Sequence, residues 1–286
     1  MKILVTGAEG FTGKHFVHEA AQSGHTIFKL TSNLLNYTEL QKEIEQIPFD
    51  FAVHLAAISF VNHPDPSQIY EVNVIGTTNL LDAFLKSGKH IERILLASSA
   101  NVYGNNNNLI IDENQPLFPI NHYACSKVAM EYMAMNYIKK LPIFFVRPFN
   151  YIGPGQNTSF VVSKIVSHFK NQAETIVLGN LSIEREFNDV RFVCQSYLKL
   201  LEKSKVGEIY NICTGKSYNL NYILSLLETM TGHKIHINQD KSFFRDNEIK
   251  ILRGDPKKLF SVANIMNIYS LNDTLKFMLM GVNNSN

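Results

Sequence analysis

The sequence predicts an α/β fold, a doubly wound parallel sheet with a smaller mixed C-terminal lobe. Three observations carry this. Short apolar runs alternate with segments of helical period through the first half of the chain. A glycine cluster follows the first run directly, and the rhythm breaks after residue 150, where Gly153, Pro154 and Gly155 interrupt it. Strands that alternate with helices require right-handed crossovers, which cover both faces of a parallel sheet.

Ile3 to Thr6 is an apolar run of strand length that stops at glycine, and His15 to Ser23 follows with Phe16, Val17 and Ala20 on one helical side. The unit repeats as a strand at Thr26 to Leu30 with a helix at Tyr37 to Ile47, then a strand at Phe51 to Leu55 with a helix at Val72 to Lys86. A strand at Arg93 to Ser98 and a long helix at Tyr123 to Lys139 lead into Ile143 to Arg147, where Pro148 ends the strand. Beyond the break, Phe160 to Asn171 reads as a helix and Ile176 to Leu178 as a strand. Val190 to Lys203 and Ile209 to Cys213 are expected to return to the first sheet. A helix at Asn221 to Thr231, a strand at Lys234 to Ile237 and a helix at Leu271 to Met280 complete the lobe. The expected division is a doubly wound unit of residues 1–149 and 189–213, and a smaller lobe of residues 150–188 and 214–286.

Composition narrows the function. Charged residues make up 18% of the chain, against roughly 25% in typical proteins. Asparagine fills part of the gap, with 29 residues against 27 Lys and Arg together. A net charge of +2 leaves basic pairs such as Lys139-Lys140 and Lys257-Lys258 but no stripe that could neutralise a phosphate backbone, so nucleic acid is not an expected partner. No apolar run approaches the roughly 20 residues of a spanning helix, and no signal-peptide pattern opens the chain, so no membrane partner and a cytoplasmic location are expected. Cys125, Cys194 and Cys213 are odd in number and lack CxxC spacing, which argues for reduced, packed thiols and against a disulfide framework or a metal site.

Chemistry enters at two places. Gly7, Gly10 and Gly13 lie between the first strand and first helix, where they permit a tight turn, close approach to a pyrophosphate and close helix packing, the Rossmann arrangement. Tyr123 and Lys127 are one helical turn apart and share a face. Taken alone they read as a common surface pair. With Ser99, which follows a strand at the end where parallel sheets bind ligands, they form a hydroxyl, phenol and ammonium set suited to acid/base work on a carbonyl or carbinol.

The motifs TGAEGFTG at 6–13, HLAA at 54–57, NVIGTTNLL around Asn73, SSANVYG at 98–104, Tyr123-Ala124-Cys125-Ser126-Lys127 and RPFNYIGPGQ at 147–156 together resemble the extended short-chain dehydrogenase/reductases, the NAD-dependent epimerase/dehydratase family acting on nucleotide sugars. The resemblance implies hydride transfer at a sugar carbon. Tyr123 would exchange the proton on the reacting oxygen, Ser99 would hydrogen-bond that oxygen, and Lys127 would hold the nicotinamide ribose. It implies a cofactor site built from Gly7, Gly10, Phe11, Thr12, Gly13, Ser32, Asn33, Leu55, Ala56, Ala57, Asn73, Tyr123, Lys127 and Arg147. For the substrate it implies Ser99, Asn101, Asn150, Arg185, Arg245 and Glu248, with the two arginines near the diphosphate. A homodimer joined through a four-helix bundle is implied as well, using the helices near Val72 to Lys86 and Tyr123 to Lys139.

Local chemistry selects among the family's reactions. Nucleotide-sugar 4,6-dehydratases place carboxylic acids just after the catalytic hydroxyl residue, whereas this chain has Ala100 and Asn101. An amide can neither abstract nor deliver the proton that elimination of water needs. The epimerase-reductases that make GDP-fucose carry a cysteine close after the same serine, and none stands there. Reduction of a 4-keto sugar or 4-epimerisation remains. The RPFNYIGPGQ segment resembles the GDP-mannose branch and favours a GDP-4-keto-6-deoxy-sugar reductase. The product would be of GDP-rhamnose, 6-deoxytalose or 6-deoxyheptose type, for surface-polysaccharide synthesis. A non-catalytic dinucleotide sensor on the same fold stays open. NAD enzymes usually carry an acid at the end of the second strand, but this chain reads Lys29-Leu30-Thr31-Ser32-Asn33 there, which favours NADPH with NADH still possible.

Overall fold

A computed structural model describes residues 1–61, 63–105, 110–240, 242, 244, 250–265 and 268–281. The first strands and helices follow the expected order, with β1 (Lys2–Thr6), α1 (Phe11–Gln22), β2 (Thr26–Lys29), α2 (Tyr37–Gln46) and β3 (Phe51–His54). The single helix expected over Val72 to Lys86 begins earlier and changes pitch. It runs as α3 (Pro66–Tyr70), a π-helical turn at Glu71–Ile75 and α4 (Gly76–Ser87). Asp65 starts α3 by accepting from the Ser67 and Gln68 N–H groups, with Pro66 in the first helical position. Next come β4 (Arg93–Ala97), α5 (His122–Met135) and β5 (Ile143–Pro148). Asn121 caps α5 through the Ala124 N–H. The helix stops at Met135, short of the expected Lys139, and the Tyr137 hydroxyl beyond it donates to Asp82 at 2.8 Å.

The remaining elements are β6 (Tyr151–Ile152), α6 (Val161–Lys170), β7 (Thr175–Leu178), β8 (Glu184–Glu186), β9 (Asn188–Asp189), α7 (Val190–Lys203), β10 (Ile209–Ile212), β11 (Ser217–Asn219), α8 (Leu220–Thr231), β12 (His236–Gln239), β13 (Ile251–Leu252), α9 (Lys257–Val262) and α10 (Leu271–Met280). Six parallel strands form the main sheet in the order β10-β5-β4-β3-β1-β2. Alternate residues of β1 serve two cores. Ile3 and Val5 join Phe16 of α1 and Phe192 of α7, while Leu4 joins Leu40 of α2 and Leu80 of α4. This two-sided burial explains why the strands read as continuous apolar runs.

A third core lies between α6, α8 and α10. Around it, β12 pairs with β7 and β8 lies between β11 and β13. The strand expected at Lys234 to Ile237 is β12, shifted toward the C-terminus by its pairing of His236 with Thr175. The two- and three-residue strands here lack the length to show a period, and so left no signal in the sequence. Among the described residues no helix is long and apolar enough to cross a membrane. The strand order reverses between β1 and β3, so the loops that follow them part and open a crevice at their carboxyl ends.

Candidate active site

The crevice begins at the glycine loop. Gly7 has φ +67°, and a Cβ there would lie 2.6 Å from the Ala56 nitrogen. A Cβ on Gly13 would lie 2.1 Å from the Gly7 oxygen. Glycine is therefore required at both positions by backbone packing. Gly10 N–H donates to Gly7 O at 3.0 Å, and Gly10 begins α1 without a side-chain cap. This backbone cradle at a helix N-terminus fits the pyrophosphate of a dinucleotide. Phe11 stacks on Tyr151 with ring centroids 6.0 Å apart, and Thr12 Oγ1 shares a hydrogen bond of 2.6 Å with the Tyr151 hydroxyl. Both side chains thus tie the loop to β6.

His54 links the floor of the crevice. Thr77 Oγ1 donates to Asn73 O at 2.8 Å and so can only accept from His54 Nε2, at 2.9 Å. The Nε2–H tautomer follows, and His54 Nδ1 accepts from Thr6 Oγ1 at 2.7 Å. Thr6 Oγ1 in turn accepts from the Leu55 and Ala56 N–H groups at 3.2 and 3.1 Å, which sets the Leu55-Ala56-Ala57 edge. Burial, with the nearby Lys127 ammonium, pushes the His54 pKa down to about 3, so the ring is neutral at physiological pH. Asn73 was expected at the cofactor. Its amide accepts from Ile58 N–H at 2.8 Å and donates to Ile58 O at 3.1 Å and Ser126 Oγ at 2.9 Å. It braces the loop after β3 against α5 from within the π-helical turn, a geometry frequent beside functional sites.

Ser99, Tyr123 and Lys127 converge beyond β4. Burial raises the Tyr123 pKa, and a hydrogen bond with Ser99 opposes the rise. Lys127 Nζ donates to Ala97 O at 2.8 Å, and burial pulls its pKa down to about 8 against the raising influence of Glu131. The phenol therefore stays protonated at neutral pH beside a hydroxyl and a largely charged ammonium, an arrangement able to deliver a proton to a developing alkoxide. Asn101 N–H donates to Ser99 Oγ at 3.2 Å, so the segment carrying Ala100 and Asn101 turns back on the serine.

Arg147, expected at the cofactor, is engaged within the protein. Its guanidinium, 3% exposed, donates from Nε and Nη2 to the two Glu131 carboxylate oxygens at 2.9 and 2.6 Å, and from Nη1 to the Tyr103 hydroxyl at 3.0 Å. Tyr103 donates to Asn211 Oδ1 at 2.7 Å, carrying the network to β10. Through Glu131 this network reaches Lys127 on the same helix. Glu131 was not singled out from the sequence, although its position one helical turn after Lys127 was a readable signal.

The expected substrate residues are less gathered. Asn150 is exposed after β5, with its carbonyl accepting from Asn188 N–H at 2.9 Å. Arg185 lies in β8, where Nη1 donates to Glu184 O at 2.8 Å and Lys250 O at 3.4 Å. Arg245 and Glu248 lie outside the described residues. After β2, Asn33 Oδ1 accepts from Leu35 N–H at 2.9 Å, and Ser32 is held by Glu43 of α2. Lys29, one ground for expecting NADPH, pairs with Glu9 of the glycine loop at 2.8 Å.

The sequence profile of the GDP-mannose 4,6 dehydratase family matches residues 19–278. The chain belongs to this family. It is 38% identical to the GDP-6-deoxy-D-talose 4-dehydrogenase of Aggregatibacter actinomycetemcomitans over 92% of this chain and 91% of that protein. It is 30% identical to the GDP-6-deoxy-D-mannose reductase of Pseudomonas aeruginosa, over 97% and 96% of the two chains. The solved structure of RMD from Pseudomonas aeruginosa complexed with NADPH superposes with a TM-score of 0.90 at 30% identity, covering 98% of this chain and 97% of that one. The short-chain dehydrogenase/reductase fold expected from the motifs is the fold of this family member.

Proposed function

We propose that this chain uses a reduced nicotinamide dinucleotide to convert the 4-keto group of a GDP-4-keto-6-deoxy-hexose to an alcohol, giving a product of GDP-rhamnose, 6-deoxytalose or 6-deoxyheptose type. In coarser terms it is an NAD(P)-dependent oxidoreductase of nucleotide sugars, as its family and two relatives named for GDP-deoxysugar redox chemistry support. One observation carries the finer reading. Ser99, Tyr123 and Lys127 meet at the crevice, while Ala100 and Asn101 beside Ser99 supply no carboxylate for eliminating water.

When bound, the dinucleotide supplies the hydride. Tyr123 donates its phenolic proton to the oxygen at carbon 4 as negative charge develops there, and Ser99 Oγ–H steadies the same oxygen. The Lys127 ammonium, fixed on Ala97 O, lowers the energy of the tyrosinate left behind. The glycine cradle would hold the pyrophosphate, with Leu55, Ala56 and Ala57 as further residues that would hold the dinucleotide. In the oxidising direction, named for the Aggregatibacter relative, each proton movement reverses.

Substrate contacts from Asn101, Asn150, Arg185, Arg245 and Glu248 belong to this proposal, as does the division into residues 1–149 with 189–213 and residues 150–188 with 214–286. So do a cytoplasmic role in surface-polysaccharide synthesis and a homodimer through α4 and α5. Support for the dimer is the exposure of Ile75, at the end of the π-helical turn before α4, and of Tyr132 and Met135 on α5. Residues 29–33 taken alone favour NADPH, yet a carboxylate does arrive there from α2.

The test is incubation with GDP-4-keto-6-deoxymannose and reduced dinucleotide, with NMR of the product. Stoichiometric loss of reduced cofactor and a new carbinol at carbon 4 are expected. Interconversion of two GDP-sugars without net oxidation would establish a 4-epimerase instead, and cofactor binding without any turnover would establish a sensor. A mass near one chain by light scattering would refute the dimer.

A further inference from the structure

The loop after β2 has few residues in which to meet an adenosine ribose, because α2 starts at Tyr37. Its two hydroxyl residues are held by a group from elsewhere. Glu43 Oε1 accepts from Thr31 N–H at 2.9 Å and Thr31 Oγ1–H at 2.8 Å, and Oε2 accepts from Ser32 N–H at 2.7 Å and from the Ser32 hydroxyl in a short contact. Burial raises the Glu43 pKa, but the Ser32 and Thr31 hydrogen bonds outweigh it and hold the carboxyl below its ordinary range. It is therefore ionised at neutral pH. β2 lies beside β1, with Val5 opposite Lys29 and Leu30 N–H donating to Val5 O at 2.9 Å, so Thr31 and Ser32 leave the sheet at the same carboxyl edge as the glycine loop.

Counting protons gives the consequence. Each hydroxyl has one O–H, and both are directed at Glu43, as are both backbone N–H groups. What Thr31 and Ser32 can still offer a ligand is lone pairs. A ribose 2'-hydroxyl is a donor and matches them, whereas a 2'-phosphate presents only acceptor oxygens and negative charge to hydroxyl oxygens backed by a carboxylate.

We infer that Glu43 is a specificity-determining residue that turns the Thr31-Ser32 loop into an acceptor-only site, so that the chain takes NADH in preference to NADPH. This rests on the dinucleotide reading but not on the identity of the sugar. It reverses the preference suggested by residues 29–33 alone, because the acid that usually ends the second strand is replaced here by one from the following helix. Lys29, the cation that would have welcomed a 2'-phosphate, is drawn to Glu9 at 2.8 Å.

The experiment is calorimetric titration of the full chain with NADH and with NADPH, without sugar, at low and high salt. Repulsion between a carboxylate and a phosphate dianion a few ångströms apart in watery surroundings corresponds to about a tenfold difference in Kd. NADH should therefore bind about tenfold more tightly at low salt, with the gap narrowing as salt screens the repulsion. In Glu43→Gln the gap should close, since the amide is neutral and can donate to a phosphate. NADPH binding as tightly as NADH in the natural chain overturns the proposal, as does an unchanged ratio in a folded Glu43→Gln. The salt dependence of the natural chain tests the proposal independently of how that variant folds. Binding of neither dinucleotide would overturn the cofactor reading itself.

Discussion

Replacing Glu131 by Gln removes one charge from a pair that water does not reach. Both carboxylate oxygens accept from Arg147, at 2.9 and 2.6 Å, and the two side chains are 6% and 3% exposed. Removing one partner of a buried ion pair costs about 3–5 kcal/mol, because the remaining charge is left desolvated. The glutamine oxygen can still accept from one guanidinium N–H, and Tyr103 still takes another, so the low end of about 3 kcal/mol is expected. At about 2–4 °C per kcal/mol for a chain of this size, Tm should fall by about 6–12 °C. Urea unfolding and a thermal melt measure it. The double variant Glu131→Leu with Arg147→Met removes both charges and should recover most of the loss. A loss below about 1 kcal/mol, the range of exposed pairs, would refute the argument. A double variant as unstable as the single one would show that packing, not charge, is at stake. Glu131→Gln also withdraws the carboxylate that raises the Lys127 pKa, so the alkaline limb of kcat/KM should move to lower pH.

Three further outcomes are expected. Tyr123→Phe should abolish turnover, about 100-fold or more for loss of a general acid, while NADH titration shows little change; full activity would exclude Tyr123 from proton transfer. The Lys127 ammonium is present below its pKa of about 8 and lost above it, so kcat/KM of the free enzyme should decline above that pH. In Lys127→Arg, which stays charged, the decline should move to higher pH, and an identical limb in both proteins would exclude Lys127 as its source. His54, with its pKa lowered to about 3, binds a proton in the unfolded chain before the folded one. Stability should therefore fall as pH drops from the unfolded value of about 6.5 toward 3, by about 2 kcal/mol at pH 5. Paired urea curves of the natural chain and His54→Gln isolate this part of the slope, and equal slopes would refute it.

The parallel sheet was readable because burial on two faces leaves an unbroken apolar run, and Ile3, Leu4 and Val5 show it in three consecutive residues. Gly7 and Gly13 were readable because no side chain fits where they stand. Tyr123 and Lys127 were readable from helical spacing, and Ala100 with Asn101 from the absence of a carboxylate. These are local properties. The partner of Arg147 was hidden for the opposite reason: a cation at a strand end looks the same in sequence whether or not Glu131 of a helix packed behind it takes its hydrogen bonds. Asn73 gave no hint of its bond to Ser126, since partners so distant along the chain leave no periodic trace.

By itself the sequence determined the order of the longer strands and helices, the glycine turn after β1 and the shared helical face of Tyr123 and Lys127, because each follows from a period or a steric requirement within a few residues. The tertiary structure alone decided which charges are available. It committed Arg147 to Glu131, Lys29 to Glu9, and Thr31 and Ser32 to Glu43. A charged group's role depends on the nearest opposite charge, and that distance exists only once the chain has folded.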